Sequence, residues 1–173
     1  MKKSINLWSL MGFAVTSLGG TLLHFLYDWT NKSVLVAPFS GVNESTWEHM
    51  KLLFFPMLLF ALVQGIHFKD FEGFWCIKLR GTLLGLILIP VIFYTYNGII
   101  GTSPDWINIA IFFISAFFAY LYEARLFKSG ARCALPALAL AMLFAIATLF
   151  VVFTFLPPQL AIFKDPVFGT YGI

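Results

Sequence analysis

Charge is scarce in this sequence. Charged residues make up 11% of the 173-residue chain, under half of the roughly 25% usual in soluble domains. Nothing resembles a phosphate-binding loop, and no basic tract suits nucleic acid, so nucleic-acid partners are not expected. Only two cysteines occur, Cys76 and Cys133. Neither sits in a Cys-x-x-Cys pair, and both fall at helix ends predicted to be cytoplasmic, where thiols stay reduced. Neither a thiolate metal site nor a disulfide framework is therefore expected. A His-Glu-x-x-His spacing is missing too, as is a convincing internal repeat.

What is abundant is apolar. Hydrophobic residues make up 60% of the chain, with 21 Phe and 5 Trp. A water-soluble fold of this size could not hide so much apolar surface, whereas lipid does not penalise it. Five runs come near the ~20 residues that span ~30 Å of hydrocarbon. They predict helices over about 7–27, 46–66, 77–100, 107–124 and 133–155 in a single transmembrane domain, 1–173, with a loop at 28–45 and a tail at 156–173. Ser17-Leu18-Gly19 could pass for a signal-peptide cleavage site, but the apolar run continues to Tyr27, which favours a retained helix. Within the loop, residues 34–39 are too short and too Pro-marked to span; they are expected on the membrane surface or dipping into the mouth of the bundle. Gly81 and Gly85 have the spacing of a close helix-packing site.

Alternation of the spans puts Lys2, Lys3, Lys69, Lys78, Arg80, Arg125, Lys128 and Arg132 on one side and Lys32, Lys51 and Lys164 on the other. The positive-inside rule places the first group in the cytoplasm. The predicted fold class is thus an all-α integral membrane bundle of about five transmembrane helices, N-terminus in and C-terminus out, multipass in the cell membrane. Trp29, Trp47 and Trp106 fall at the outer interface, as an aromatic belt would.

The outer end also gathers the ionisable residues. His24 and Asp28 are four apart and share a helix face near its outer end. Ionisable groups at that depth usually face the bundle interior and serve function. The densest polar stretch runs from Asn43 to Lys51. Its Ser45-Thr46-Trp47-Glu48 reads as a capping box. Capping accounts for Glu48 but not for Asn43, Glu44 or His49. Candidate catalytic residues are therefore His24, Asp28, Glu44, Glu48 and His49. Candidate substrate-binding residues on the same side are Asn43, Trp47, Lys51, Tyr94, Asn97, Asp105, Asp165 and Tyr171. A cofactor is not specified. A divalent metal, if used, would take His24, His49 and one of Asp28, Glu44 or Glu48. His67 cannot join them: it lies 18 residues beyond His49 on the same helix, about 27 Å away. At the inner end Gln64, His67, Tyr120, Tyr122, Glu123 and Arg125 form a thinner set, with Glu123 and Arg125 read as an interfacial charge balance.

The segments His24-Phe25-Leu26-Tyr27-Asp28-Trp29, Asn43-Glu44-Ser45-Thr46-Trp47-Glu48-His49 and Asp165-Pro166-Val167-Phe168-Gly169-Thr170-Tyr171-Gly172 resemble a bacterial family of small multipass membrane proteins, a domain of unknown function. The resemblance covers nearly the whole chain. It implies a fold class and a bacterial inner membrane, and no activity. A remoter similarity is to ceramidase-like membrane hydrolases, but their His-x-x-x-His pair is not present.

Three functions are in play. The first is a membrane-embedded hydrolase or transferase acting on a lipid or lipid-linked substrate, with His24 or His49 as general base oriented by a carboxylate such as Asp28. The second is a small-solute or ion carrier, with a homodimer easing the limited volume of five helices. The third is an accessory subunit docking a membrane protein partner through its outer loop and tail.

Overall fold

A computed structural model describes residues 2–173, and only the backbone of Lys2, Lys3 and Asp105. The chain forms α1 (Lys2–Trp29), α2 (Thr46–His67), α3 (Phe74–Ile100), α4 (Asp105–Lys128) and α5 (Pro136–Phe155), followed by a single 3-10 turn at Ala161–Phe163. Among the described residues no strand forms, and one antiparallel bridge joins Lys164 to Tyr171. All five helices are long and apolar enough to cross a membrane. Their alternation defines two ends. The loop end holds residues 30–45 and the tail; the opposite end holds the α2–α3 and α4–α5 connections.

Helix α2 is the centre of the bundle and contacts the other four. Leu53, Phe54 and Met57 are fully enclosed. Helix α4 packs along α3 and α1, while α5 lies against α3 and α2. Gly81 and Gly85 do mark a close approach. A Cβ on Gly81 would run into the Glu123 side chain, and one on Gly85 would lie 2.7 Å from Leu53 and 3.2 Å from Ala119. The outward faces are apolar: Leu10, Leu18, Leu59, Ile66, Ile99 and Leu138 are exposed.

Helix ends depart from the hydropathy runs where polar residues still satisfy helical geometry. Helix α1 begins at Lys2, and α4 continues through Arg125 to Lys128, so the expected basic turn is its last helical turn. Cations are favourable at a helix C-terminus. Helix α5 starts at Pro136 rather than 133, because proline suits a first turn, where its missing N–H is no loss.

Three further expectations are corrected. Cys76 and Cys133 are joined in a disulfide, with Cα atoms 5.6 Å apart across 57 residues of sequence. Helices α3 and α5 run parallel, so their starting ends meet, a proximity that spacing in sequence does not reveal. Trp47 is not part of an interfacial belt. Its ring packs 4.5 Å from Phe150 and 4.7 Å from Phe163, whereas Trp29 and Trp106 are exposed at the loop end. Glu123 does not balance Arg125; it is buried and lies 2.5 Å from Lys78.

Among the described residues two lysines are thus fully enclosed, one toward each end. Lys78 on α3 meets Glu123 of α4 and donates to Gln64 of α2 at 3.1 Å. Lys51 on α2 meets Glu48 one turn earlier at 2.5 Å, and donates to the Ala37 carbonyl and to Thr154 of α5, each at 2.9 Å. A charge removed from water needs such partners, since an unpaired one costs several kcal/mol.

Candidate functional site

The start of α2 is built by side chain–backbone bonds. The Ser45 hydroxyl accepts from the Glu48 N–H at 3.3 Å, which is half of a capping box. The return half is replaced. The Ser45 N–H donates to Asn43 Oδ1 at 2.9 Å, while the Glu48 carboxylate accepts from the Val42 N–H at 3.1 Å and pairs with Lys51. Glu48 and Lys51 are therefore internal struts, closed off from any substrate. Lys51 also anchors the loop. Ala37, whose carbonyl it holds, is fully buried, although the neighbouring Val34 and Leu35 are exposed.

The tail closes over this loop. Asp165 is buried and accepts the N–H groups of Glu44, Val167 and Phe168 at 3.3, 2.7 and 3.1 Å. Asn43 donates to the Gly172 carbonyl at 3.1 Å. These contacts fix the backbone of Glu44 and leave its side chain half exposed, directed toward α1 and α2.

Three candidates meet there. One carboxylate oxygen of Glu44 lies 3.9 Å from His24 Nε2 and the other 3.6 Å from His49 Nε2. The two imidazole rings are 5.8 Å apart, centre to centre. Both separations from Glu44 exceed a direct hydrogen bond, so the carboxylate faces the two rings at charge-pairing distance without being bonded to either. His49 Nδ1 lies 3.0 Å from the Ser45 carbonyl. A carbonyl can only accept, so Nδ1 keeps the proton. In the neutral ring Nε2 then presents its lone pair to the cluster.

Beside the cluster a crevice of about 260 Å³ opens between α1, α2 and α4, lined by Gly20, His24, Phe25, His49, Asn108 and Phe113 among others. A second, narrow cleft lined by Glu44, Thr46, His49, Phe93, Asn108 and Phe112 adjoins it. The walls are apolar and the polar groups sit at one end.

The other candidates lie elsewhere. Asp28, expected to orient His24, is exposed and joins no ion pair or side-chain hydrogen bond among the described residues; Glu44 takes that place from the loop. Thr46 donates to the Tyr94 hydroxyl at 3.5 Å, the long limit of such a bond. Asn97 bonds the Phe93 carbonyl and the Ser103 N–H, shaping the α3–α4 turn. Trp47 is packing, Tyr171 bridges to Lys164, and the Asp105 side chain lies outside the described residues. Among those residues no group of three or more His, Cys, Asp or Glu side chains is arranged to hold a metal ion. Of the inner set, Gln64, Tyr120 and Glu123 converge around Lys78, while His67 packs at a tilt against Trp8, ring centres 5.0 Å apart.

Asn108 was not anticipated. It lines both cavities and accepts from the Ser103 hydroxyl at 2.8 Å. Its signal was present: it is a lone amide among Ile107, Ile109, Ala110 and Ile111.

The chain matches over residues 1–173 a family described as "Family of unknown function (DUF6512)", and it belongs to that family. No curated protein and no solved structure matches it.

Proposed function

We propose that this member of the family crosses the bacterial cell membrane five times, with its loop end outside, the sense favoured by the bias of eight basic residues against three over the contrary sense of a Cys76–Cys133 disulfide at the end this puts in the cytoplasm. There, His24, Glu44 and His49 would act on a lipid or lipid-linked substrate by hydrolysis or group transfer. The observation that carries the reading is the Glu44 carboxylate set between two imidazoles at the polar end of an apolar crevice. An amphiphile fits that shape, with its chain against Phe25, Ile109 and Phe113 and its reacting group toward His49.

The chemistry assigned is general acid–base. His49 Nε2 takes a proton from the attacking water or hydroxyl as its oxygen bonds to the electrophilic centre, and Glu44 stabilises the imidazolium that forms. His24, across the same carboxylate, receives that proton through Glu44 and gives it to the departing oxygen. Asn108 is placed to hold a polar group of the substrate. The Asp165 clasp keeps Glu44 in position.

The carrier alternative has less support. Lys51 and Gln64, which mark the two polar centres, stand 13 residues apart on α2, about 20 Å, and Phe54, Met57 and Phe60 fill the interval.

The test is mass-spectrometric lipid profiling of proteoliposomes made from total bacterial membrane lipid, with wild type, His49→Ala and His24→Ala. Wild type is expected to generate a new lipid-derived product. Loss of a general base should slow it by about 100-fold or more. Undiminished turnover in both variants would sink the proposal, as would a lipid profile that the wild type leaves unchanged.

A further inference from the structure

A third cavity, of about 280 Å³, lies at the other end of α1 and α4 and plays no part in the chemistry above. Its polar end holds Asn6, Ser9 and Lys128; its apolar body is Leu10, Phe13, Phe117 and Leu121. Leu10 and Phe117 are 64% and 50% exposed, so the groove opens sideways, between the helices, and not into the core. At its floor the Tyr120 hydroxyl bonds Thr16 of α1 at 2.7 Å.

The dimensions are those of one leaflet. From Lys128 to Phe117 is 11 residues of α4, about 16 Å, against about 15 Å for half of a ~30 Å hydrocarbon layer. A polar rim at the helix ends and an apolar trough one leaflet deep match a headgroup and one acyl chain. The rim is cationic: Lys128 is exposed and joins no ion pair among the described residues. Asn6 and Ser9 make no side-chain hydrogen bond within the described residues and line the same cavity as Lys128. Phosphate oxygens would satisfy all three groups, and basic pockets between transmembrane helices are where acidic lipids bind.

We infer that the α1–α4 groove at this end is a binding site for one anionic phospholipid, its phosphate on Lys128, Asn6 and Ser9 and one acyl chain along Phe13 and Phe117. The inference rests on the membrane part of the proposed function and is independent of the His24–Glu44–His49 chemistry.

Native mass spectrometry of the protein released from micelles containing equal phosphatidylglycerol and phosphatidylcholine tests it. Wild type should retain one phosphatidylglycerol in preference. Lys128→Gln should cut that preference about fivefold, the worth of one lysine at an anionic surface, and Lys128→Arg should keep it. Leu10→Trp, which fills the trough, should lower retention of both lipids. Arg125→Gln, one turn earlier on α4 but outside the groove, should retain the wild-type preference. An equal loss in Arg125→Gln would show diffuse surface charge instead of a site and overturn the inference. So would wild type that holds the two lipids alike. Unfolding temperatures in detergent distinguish lost binding from lost fold, and unchanged lipid turnover in Lys128→Gln separates this site from the one at the loop end.

Discussion

The two buried lysines look alike in composition and differ in what they join. Lys78 ties together three helices, reaching from α3 to Glu123 on α4 and Gln64 on α2. Its ammonium also lies 5.2 Å from the centre of the Tyr120 ring. Lys51 pairs with a carboxylate on its own helix, and spends its other donors on a loop carbonyl and on α5. The first is a bolt between rigid elements. The second is an anchor for irregular chain, and only above the second does a cluster of titratable side chains stand free. The contrast teaches that burial of charge here does not itself mark a reactive site: Glu48 is enclosed and engaged, while half-exposed Glu44, held by its backbone, is the carboxylate available to a substrate.

The contrast can be broken by paired substitutions. The largest effect is expected at the three-helix bolt. Lys78→Met or Glu123→Leu alone should cost about 3–5 kcal/mol, because each leaves an uncompensated buried charge. Combining the two should recover most of the loss, since apolar replacement of a buried pair is often neutral. Thermal unfolding in detergent measures both, and a double variant no more stable than the singles would show that the pair is not the self-contained unit described. At the anchor, Lys51→Met should cost a little less, about 3 kcal/mol. There the Lys51→Met, Glu48→Leu double should not recover, because the Ala37 carbonyl and the Val42 N–H lose their partners in the process. Recovery as full as at Lys78 would erase the distinction between bolt and anchor. The smallest effect is Thr154→Val, which removes one acceptor of Lys51 and should cost about 1 kcal/mol. A cost as large as that of Lys51→Met would make Thr154 the centre of the arrangement.

How much of this was legible depends on the range of each interaction. Ser45 could be read as a helix cap because the bond it makes spans three residues. The meeting of His24 with Glu44 and His49 followed from counting spans, since an even number of crossings separates residues that share an end. Asp28 misled because a four-residue spacing says that two side chains share a face, not that the face turns inward. The Lys78–Glu123 pair was hidden for a different reason. The partners are 45 residues apart, and each stands near enough to other charges to pass for an interfacial residue. Cys76 and Cys133 were hidden in the same way. Neighbour identity among helices is set by packing, and packing of apolar faces leaves little periodic trace when α2 is enclosed on nearly all sides.

The clasp formed by Asp165 has a consequence for how the protein is made. Glu44 and the carboxylate that holds its backbone are 121 residues apart in the chain. A ribosome adding roughly 5–20 residues per second needs on the order of ten seconds to travel from one to the other. During that interval α1 and α2 can already have threaded and docked, with the Glu48–Lys51 pair formed locally, while Glu44 still lacks its latch. The histidine cluster is therefore finished late, by the arrival of the tail, and a nascent chain halted before Asp165 would hold the imidazoles without the fixed carboxylate between them.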